Sequence, residues 1–229
     1  MGVQVVRGYT TDPAVGTFLS ARKAAAGAKR AGLSIGDYLD NYSAEPGATS
    51  DAVEAMLRLA GFESGVERVC EIGAGSGRYA VKVIAGLKPE VYEVYETAPD
   101  WLPLLRTLPS VVVRTADGHA LGETKTASVD LVHAHKLFVY IPFATVVGYL
   151  EEMVRVVRPG GIVAFDVFTE NSLDDGVVKA WIADNVTLYG VLPRAWTIDL
   201  LARRGLSLVG THLVPLSGSH TELLVFRRS

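Results

Sequence analysis

The feature that most constrains this chain is a glycine-rich turn, Gly73-Ala74-Gly75-Ser76-Gly77. It stands where the apolar run Val66–Ile72 gives way to the amphipathic stretch Arg78–Leu87. Glycines let a strand turn tightly into a helix and bring backbone N–H groups against a ligand with no Cβ in the way. A chain with such a junction is expected to build its core from β-α units. Spacing narrows the ligand. A dinucleotide fold prefers Gly-x-Gly-x-x-Gly, and the residue at its third glycine is Arg78. The run is Gly-x-Gly-x-Gly instead, which disfavours an NAD-dependent oxidoreductase.

Beyond the turn, short apolar runs alternate with helical stretches. Strands are expected at Val66–Ile72, Val91–Tyr95, Val111–Thr115, Val129–Ala134 and Gly161–Phe168. Helices are expected at Arg78–Leu87, Ala98–Leu108, Phe143–Val157 and Ala195–Arg203. Strands joined by crossover helices imply a parallel, doubly wound sheet. The β-rich runs Leu206–Leu216 and Thr221–Arg227 are separated by Ser217–His220, which suits a hairpin rather than a crossover. The expected fold is α/β: a mostly parallel seven-stranded sheet, helices on both faces and an antiparallel C-terminal hairpin strand. Residues 1–45, with helical potential at Pro13–Lys29 and Ile35–Asn41, are read as a helical N-terminal cap on a domain spanning 46–229. Thr49, Ser50 and Asp51 precede an apolar helical run that Gly61 ends.

With 229 residues, 49% of them hydrophobic and 21% charged, the chain suits a globular domain. A net charge of -3 offers no basic face for phosphates, so nucleic acid is not an expected partner. Neither a charged-then-apolar signal segment nor a membrane-length apolar stretch is present in the sequence. Gly2 opens no myristoylation motif, because position 6 is Val6. The one cysteine, Cys70, reads as a small buried strand residue, consistent with a reducing compartment. A cytoplasmic protein without membrane partners is expected, and homo-oligomerisation stays open.

Glu71 lies two residues before Gly73, and the pattern Glu-x-Gly-x-Gly-x-Gly resembles motif I of the class I S-adenosylmethionine-dependent methyltransferases. The run Glu96-Thr97-Ala98-Pro99 resembles that family's acidic end to the second strand, and Ala116-Asp117-Gly118 its Asp after the third. Ser128–Val132 resembles the fourth strand, and Arg158-Pro159-Gly160-Gly161 the turn that launches the fifth. The resemblance covers roughly Glu45–Arg228. It implies S-adenosyl-L-methionine as cofactor, held by Glu71, Gly73, Ala74, Gly75, Gly77, Glu96, Thr97, Asp117, Gly118 and His135. In it Glu96 would take the ribose hydroxyls, Asp117 the adenine amino group, and Glu71 the turn or the methionyl ammonium.

Methyl transfer asks the protein to align an acceptor and to manage one proton. His135, just past the fourth strand, is the expected base, and His133 shares its face by strand alternation. A divalent metal held by His133, His135 and Asp166, with Glu170, Asp174 and Asp175 nearby, is a less favoured alternative, so no metal ligand is assigned. Lys136 is expected to face solvent or start a helix. Tyr9, Tyr38, Tyr42, Trp181, Tyr189 and Trp196 are expected in the core, with some available to line an acceptor pocket. The segment Ile182–Leu192 has the length of a lid. The expected activity is methylation of a small-molecule hydroxyl on a sugar, polyketide or phenol. The alternatives are an amine or carboxylate acceptor, or a silent S-adenosylmethionine binder.

Overall fold

The structure, a computed structural model, describes residues 9–12, 16–62, 65–184 and 189–229. A hairpin of β1 (Tyr9–Asp12) and β2 (Gly16–Leu19) precedes α1 (Ala21–Ala31), α2 (Ile35–Ser43) and α3 (Ala48–Ala60). Next come β3 (Arg68–Ile72), α4 (Arg78–Leu87), β4 (Val91–Tyr95), α5 (Leu102–Leu105), β5 (Val111–Arg114) and β6 (Val129–Ala134). Then follow α6 (Phe143–Val156), β7 (Val157–Val167), α7 (Asp175–Ala183), α8 (Arg194–Ala202), β8 (Leu206–Leu216) and β9 (Ser219–Arg228).

Seven strands form one sheet in the order β5-β4-β3-β6-β7-β9-β8. The five from β5 to β7 are parallel, whereas β9 runs antiparallel to both β7 and β8. The central strand β6 is buried at every position, as a strand covered on both faces must be. One core layer joins Met56, Val83 and Leu105 of α3, α4 and α5 to the sheet; the other joins Leu150, Met153 and Leu201 of α6 and α8. The doubly wound fold is therefore as expected. Because β3 and β6 send their crossovers in opposite directions, a crevice opens at their carboxyl ends.

The structure corrects several local expectations. Part of the run expected as helix from Pro13 is the strand β2, and α1 starts only at Ala21; Pro13 itself lies outside the described residues. Thr49 is not a cap. Gly47, at φ 83°, precedes α3, and Thr49 bonds to Asp40 through Oγ1 (2.5 Å) and its backbone N–H (3.1 Å). The Ala98–Leu108 helix shrinks to α5, in a stretch where Pro99 and Pro103 supply no N–H. The four-residue hairpin link narrows to two: Leu216 pairs with Ser219, and Ser217 and Gly218 turn at φ 48° and 75°. Helix α7 falls in a connection for which no helix was expected. Residues 185–188 of the suggested lid, like Gly2 and Val6, lie outside the described residues. No helix among the described residues is long and apolar enough to cross a membrane.

Candidate active site

The crevice holds a cavity of about 290 Å³. One wall is the turn after β3, where Gly73, Gly75 and Gly77 all take left-handed backbone (φ 69°, 51° and 73°). A Cβ on Gly73 would meet Leu137 at 2.9 Å and one on Gly77 would meet Leu108 at 2.8 Å, while Gly75 faces open space. Gly73 and Gly77 thus allow close packing, and Gly75 leaves room beside the cavity. Ala74 and Ser76 also border it; Gly77 does not.

After β4, Glu96 and Thr97 line the same cavity. Glu96 accepts the Gly75 N–H at 2.7 Å and the Ala98 N–H at 2.7 Å, so one carboxylate fastens the second strand end to the glycine turn. Burial raises its pKa, against the pull of the Ala98 and Gly75 N–H bonds. Trp101 and Tyr149 complete this end. Asp117 and Gly118 follow β5 but do not border the cavity. Asp117 is exposed and accepts the N–H groups of His119 and Ala120 at 2.8 Å each, which hold its pKa low. Gly118 comes near Thr97, whose Cγ2 lies 3.8 Å from the position of a Cβ.

Beneath the turn, Glu71 is buried and accepts the Tyr92 hydroxyl at 2.7 Å. Burial pushes its pKa up to about 8. The Tyr92 oxygen also lies 2.8 Å from His133 Nε2. A phenol has one proton, so with that proton on Glu71 the bond from His133 is donated by Nε2–H. His133 is fully buried and does not border the cavity, and burial pulls its pKa well down. Neither Glu71 nor His133 therefore reaches a ligand directly in this arrangement.

His135 does border the cavity. Its ring stacks on Tyr79 of α4, with centroids 4.3 Å apart and planes within 8°, and His133 lies 5.2 Å away. Burial, then the charges of Lys136 and Arg78, pull its pKa down to about 3, so the imidazole is neutral at pH 7. Neither of its ring nitrogens has a hydrogen-bond partner. Buried nitrogens left unpaired beside a cavity indicate a site shaped for a ligand.

Lys136 overturns the solvent-facing expectation. It sits at φ 52°, and its ammonium is buried, bonding the carbonyls of Val214 (3.4 Å) and Pro215 (2.9 Å) and the hydroxyl of Thr221 (3.0 Å). Its backbone N–H donates to Asp166 Oδ1 at 2.6 Å. No sequence signal marked this residue, because the strand that receives its ammonium lies far along the chain. The metal alternative finds no geometry: no group of three or more His, Cys, Asp or Glu among the described residues is arranged to hold an ion.

The remaining wall comes from the cap and the loop after β6. Leu39, Tyr42 and Ser43 of α2 line the cavity, as do Tyr140, Ile141 and Pro142. Asp40 fixes α2 by taking Thr49 from α3 and Arg78 Nη1 from α4 at 3.2 Å. Of the other aromatic candidates, Tyr38 stacks on Tyr42 at 5.8 Å, Trp181 and Tyr189 pack with Phe168, and Trp196 meets Phe143 at 5.2 Å. The side chain of Tyr9 lies outside the described part.

Residues 70–165, from the strand before the glycine turn to the strand holding Asp166, match the family model described as a methyltransferase domain. Over these residues the chain is a methyltransferase domain. Solved structures similar to this methyltransferase share its fold. The magnesium protoporphyrin IX methyltransferase of Synechocystis PCC 6803, with bound S-adenosylhomocysteine, aligns at TM-score 0.64 and 15% identity, over 85% of this chain and 86% of that one. The 1,6-didemethyltoxoflavin-N1-methyltransferase of Burkholderia thailandensis aligns at 0.60 and 18%, over 80% and 78%. The geranyl diphosphate C-methyltransferase of Streptomyces coelicolor A3(2) aligns at 0.58 and 11%, over 79% and 77%. No curated protein matches the sequence. The open face of Gly75, with the carboxylate of Glu96 beside it, fits a cofactor of the S-adenosylmethionine kind.

Proposed function

We propose that this methyltransferase methylates a hydroxyl oxygen of a small, planar acceptor of the phenolic or enolic kind. The observation that carries the reading is His135: a neutral imidazole at the cavity with both nitrogens unpartnered. When bound, S-adenosylmethionine supplies a methyl group already activated on a sulfonium. In this reading the cofactor lies along Gly73, Ala74, Gly75, Glu96 and Thr97, while Glu71, Gly77, Asp117 and Gly118 shape that end from behind or beside it. The residues of α2 and the loop after β6 hold the acceptor and exclude water, and the tyrosines Tyr42 and Tyr140 border that space.

Proton handling narrows the acceptor. An imidazole whose conjugate acid has a pKa of about 3 is a weak base. It assists only an acceptor that parts with its proton readily, which favours phenols and enols over sugar hydroxyls. Nε2 would receive that proton when the hydroxyl oxygen takes the methyl group, the sulfonium carbon–sulfur bond breaking to leave a neutral thioether. His133, buried behind it, has no part in this step.

The test is turnover. Purified protein with S-adenosylmethionine and a panel of phenols, sugars, amines and carboxylates is expected to form S-adenosylhomocysteine with phenolic acceptors. His135→Ala is expected to lower kcat by about 10²–10⁴-fold, with cofactor affinity measured by calorimetry little changed. Turnover confined to amines or carboxylates, or full turnover by His135→Ala, would sink the reading.

A further inference from the structure

Asp166, at the end of β7, is buried and placed by three contacts from two neighbours. Oδ1 accepts the backbone N–H of Lys136 at 2.6 Å, Oδ2 accepts the Thr221 hydroxyl at 2.5 Å, and the Lys136 ammonium lies 3.5 Å from Oδ2. Oδ1 also lies 3.8 Å from His135 Nδ1, which is too long for a hydrogen bond. The His135 ring lies flat on Tyr79. A shift of about 1 Å closes that gap to bonding distance.

We propose that Asp166 is a positioning residue that fixes the tautomer of His135, taking the Nδ1–H so that Nε2 remains the nitrogen open to the acceptor proton. The proposal rests on the reading of His135 as the proton acceptor. Which nitrogen of an imidazole carries the proton is decided by the partner of the other nitrogen, and a carboxylate held still by its own bonds sets both tautomer and aim. The charged and titratable groups around His135 are His133 on its own strand, Tyr79 and Arg78 on α4, Lys136 beside it and Asp166 on β7. Asp166 is the carboxylate among them. His133 is the rival, since its Nδ1 is unpartnered as well.

The experiment uses the full chain labelled with ¹⁵N-histidine, because long-range ¹H–¹⁵N spectra distinguish the two tautomers directly. Wild type is expected to carry the His135 proton on Nδ1. Asp166→Ala is expected to move it to Nε2 and to lower kcat roughly 10–100-fold, with little change in acceptor KM. Asp166→Asn, whose Oδ1 keeps its place, is expected to retain the Nδ1–H tautomer. Should Asp166→Ala fail to fold, Thr221→Val unties Oδ2 alone and is expected to give a mixture of tautomers. A tautomer unchanged in both Asp166→Ala and Thr221→Val overturns the proposal, with His133 then holding the proton. Full turnover in His135→Ala, by contrast, defeats the base assignment and leaves the tautomer result standing.

Discussion

Glu71 shows how one residue can carry two opposed demands. Its place before the glycine turn puts a carboxylate in a fully covered strand, and burial keeps it protonated up to about pH 8 in the fold, against 4.5 when exposed. The folded chain holds this proton to higher pH than the unfolded chain. Stability from this group is therefore complete below about pH 4.5 and declines as pH rises toward 8. Glu71→Gln keeps an acceptor for Tyr92 and cannot ionise. It is expected to flatten that decline and to exceed wild type by on the order of 2 kcal/mol at pH 8, checked by thermal unfolding at pH 5 and 8. His135 runs the other way: its contribution is complete above about pH 6.5 and is lost as pH falls toward 3. His135 and Glu96 were legible in the sequence because each stands directly after a strand in a recognisable order. Lys136 was not, since its left-handed backbone and its partners at Val214, Pro215 and Thr221 exist only after the sheet has closed.

At the scale of elements, hydrophobic period located the central strands well, and β4 and β6 fall where the apolar runs place them. Local pattern failed where tertiary partners overrode it. Thr49 looks like a cap and is instead a ligand of Asp40. Gly16 and Thr17 are weak helix formers, and residues 16–19 pair with β1. The glycine turn has the sharpest requirement. Gly77→Ala places a Cβ on backbone at φ 73° and within 2.8 Å of Leu108. It is expected to cost about 1–2 kcal/mol from the left-handed backbone alone, and more from the contact, read as a lowered midpoint in denaturant. Asp40→Ala unlinks α2 from α3 and α4. Faster amide exchange across Ile35–Ser43 is expected, with acceptor KM raised more than cofactor affinity is weakened.

Across the whole molecule, the His135 side of the cavity depends on strands from both halves of the sheet. Lys136 ties the residue after β6 to β8 and β9, and Asp166 ties β7 to β9 through Thr221. Lys136→Met leaves Asp166 without its cation and is expected to lose about 3 kcal/mol of unfolding free energy in denaturant titration. The doubly wound plan was legible because crossover helices follow their strands. The seat of β9, between β7 and β8, was not, because a hairpin signal does not say which of its strands joins the sheet.

That seat has a consequence for how the protein is made. A ribosome delivers β7 first, then β8, and β9 after both, yet β9 is the strand that covers β7. Until then β7 presents an open row of backbone N–H and C=O groups, an invitation to pair with other chains. Asp166, on that same strand, meets Thr221 only once β9 has arrived. The nascent chain thus carries an adhesive sheet edge and a carboxylate still short of a partner together, and one late strand resolves both.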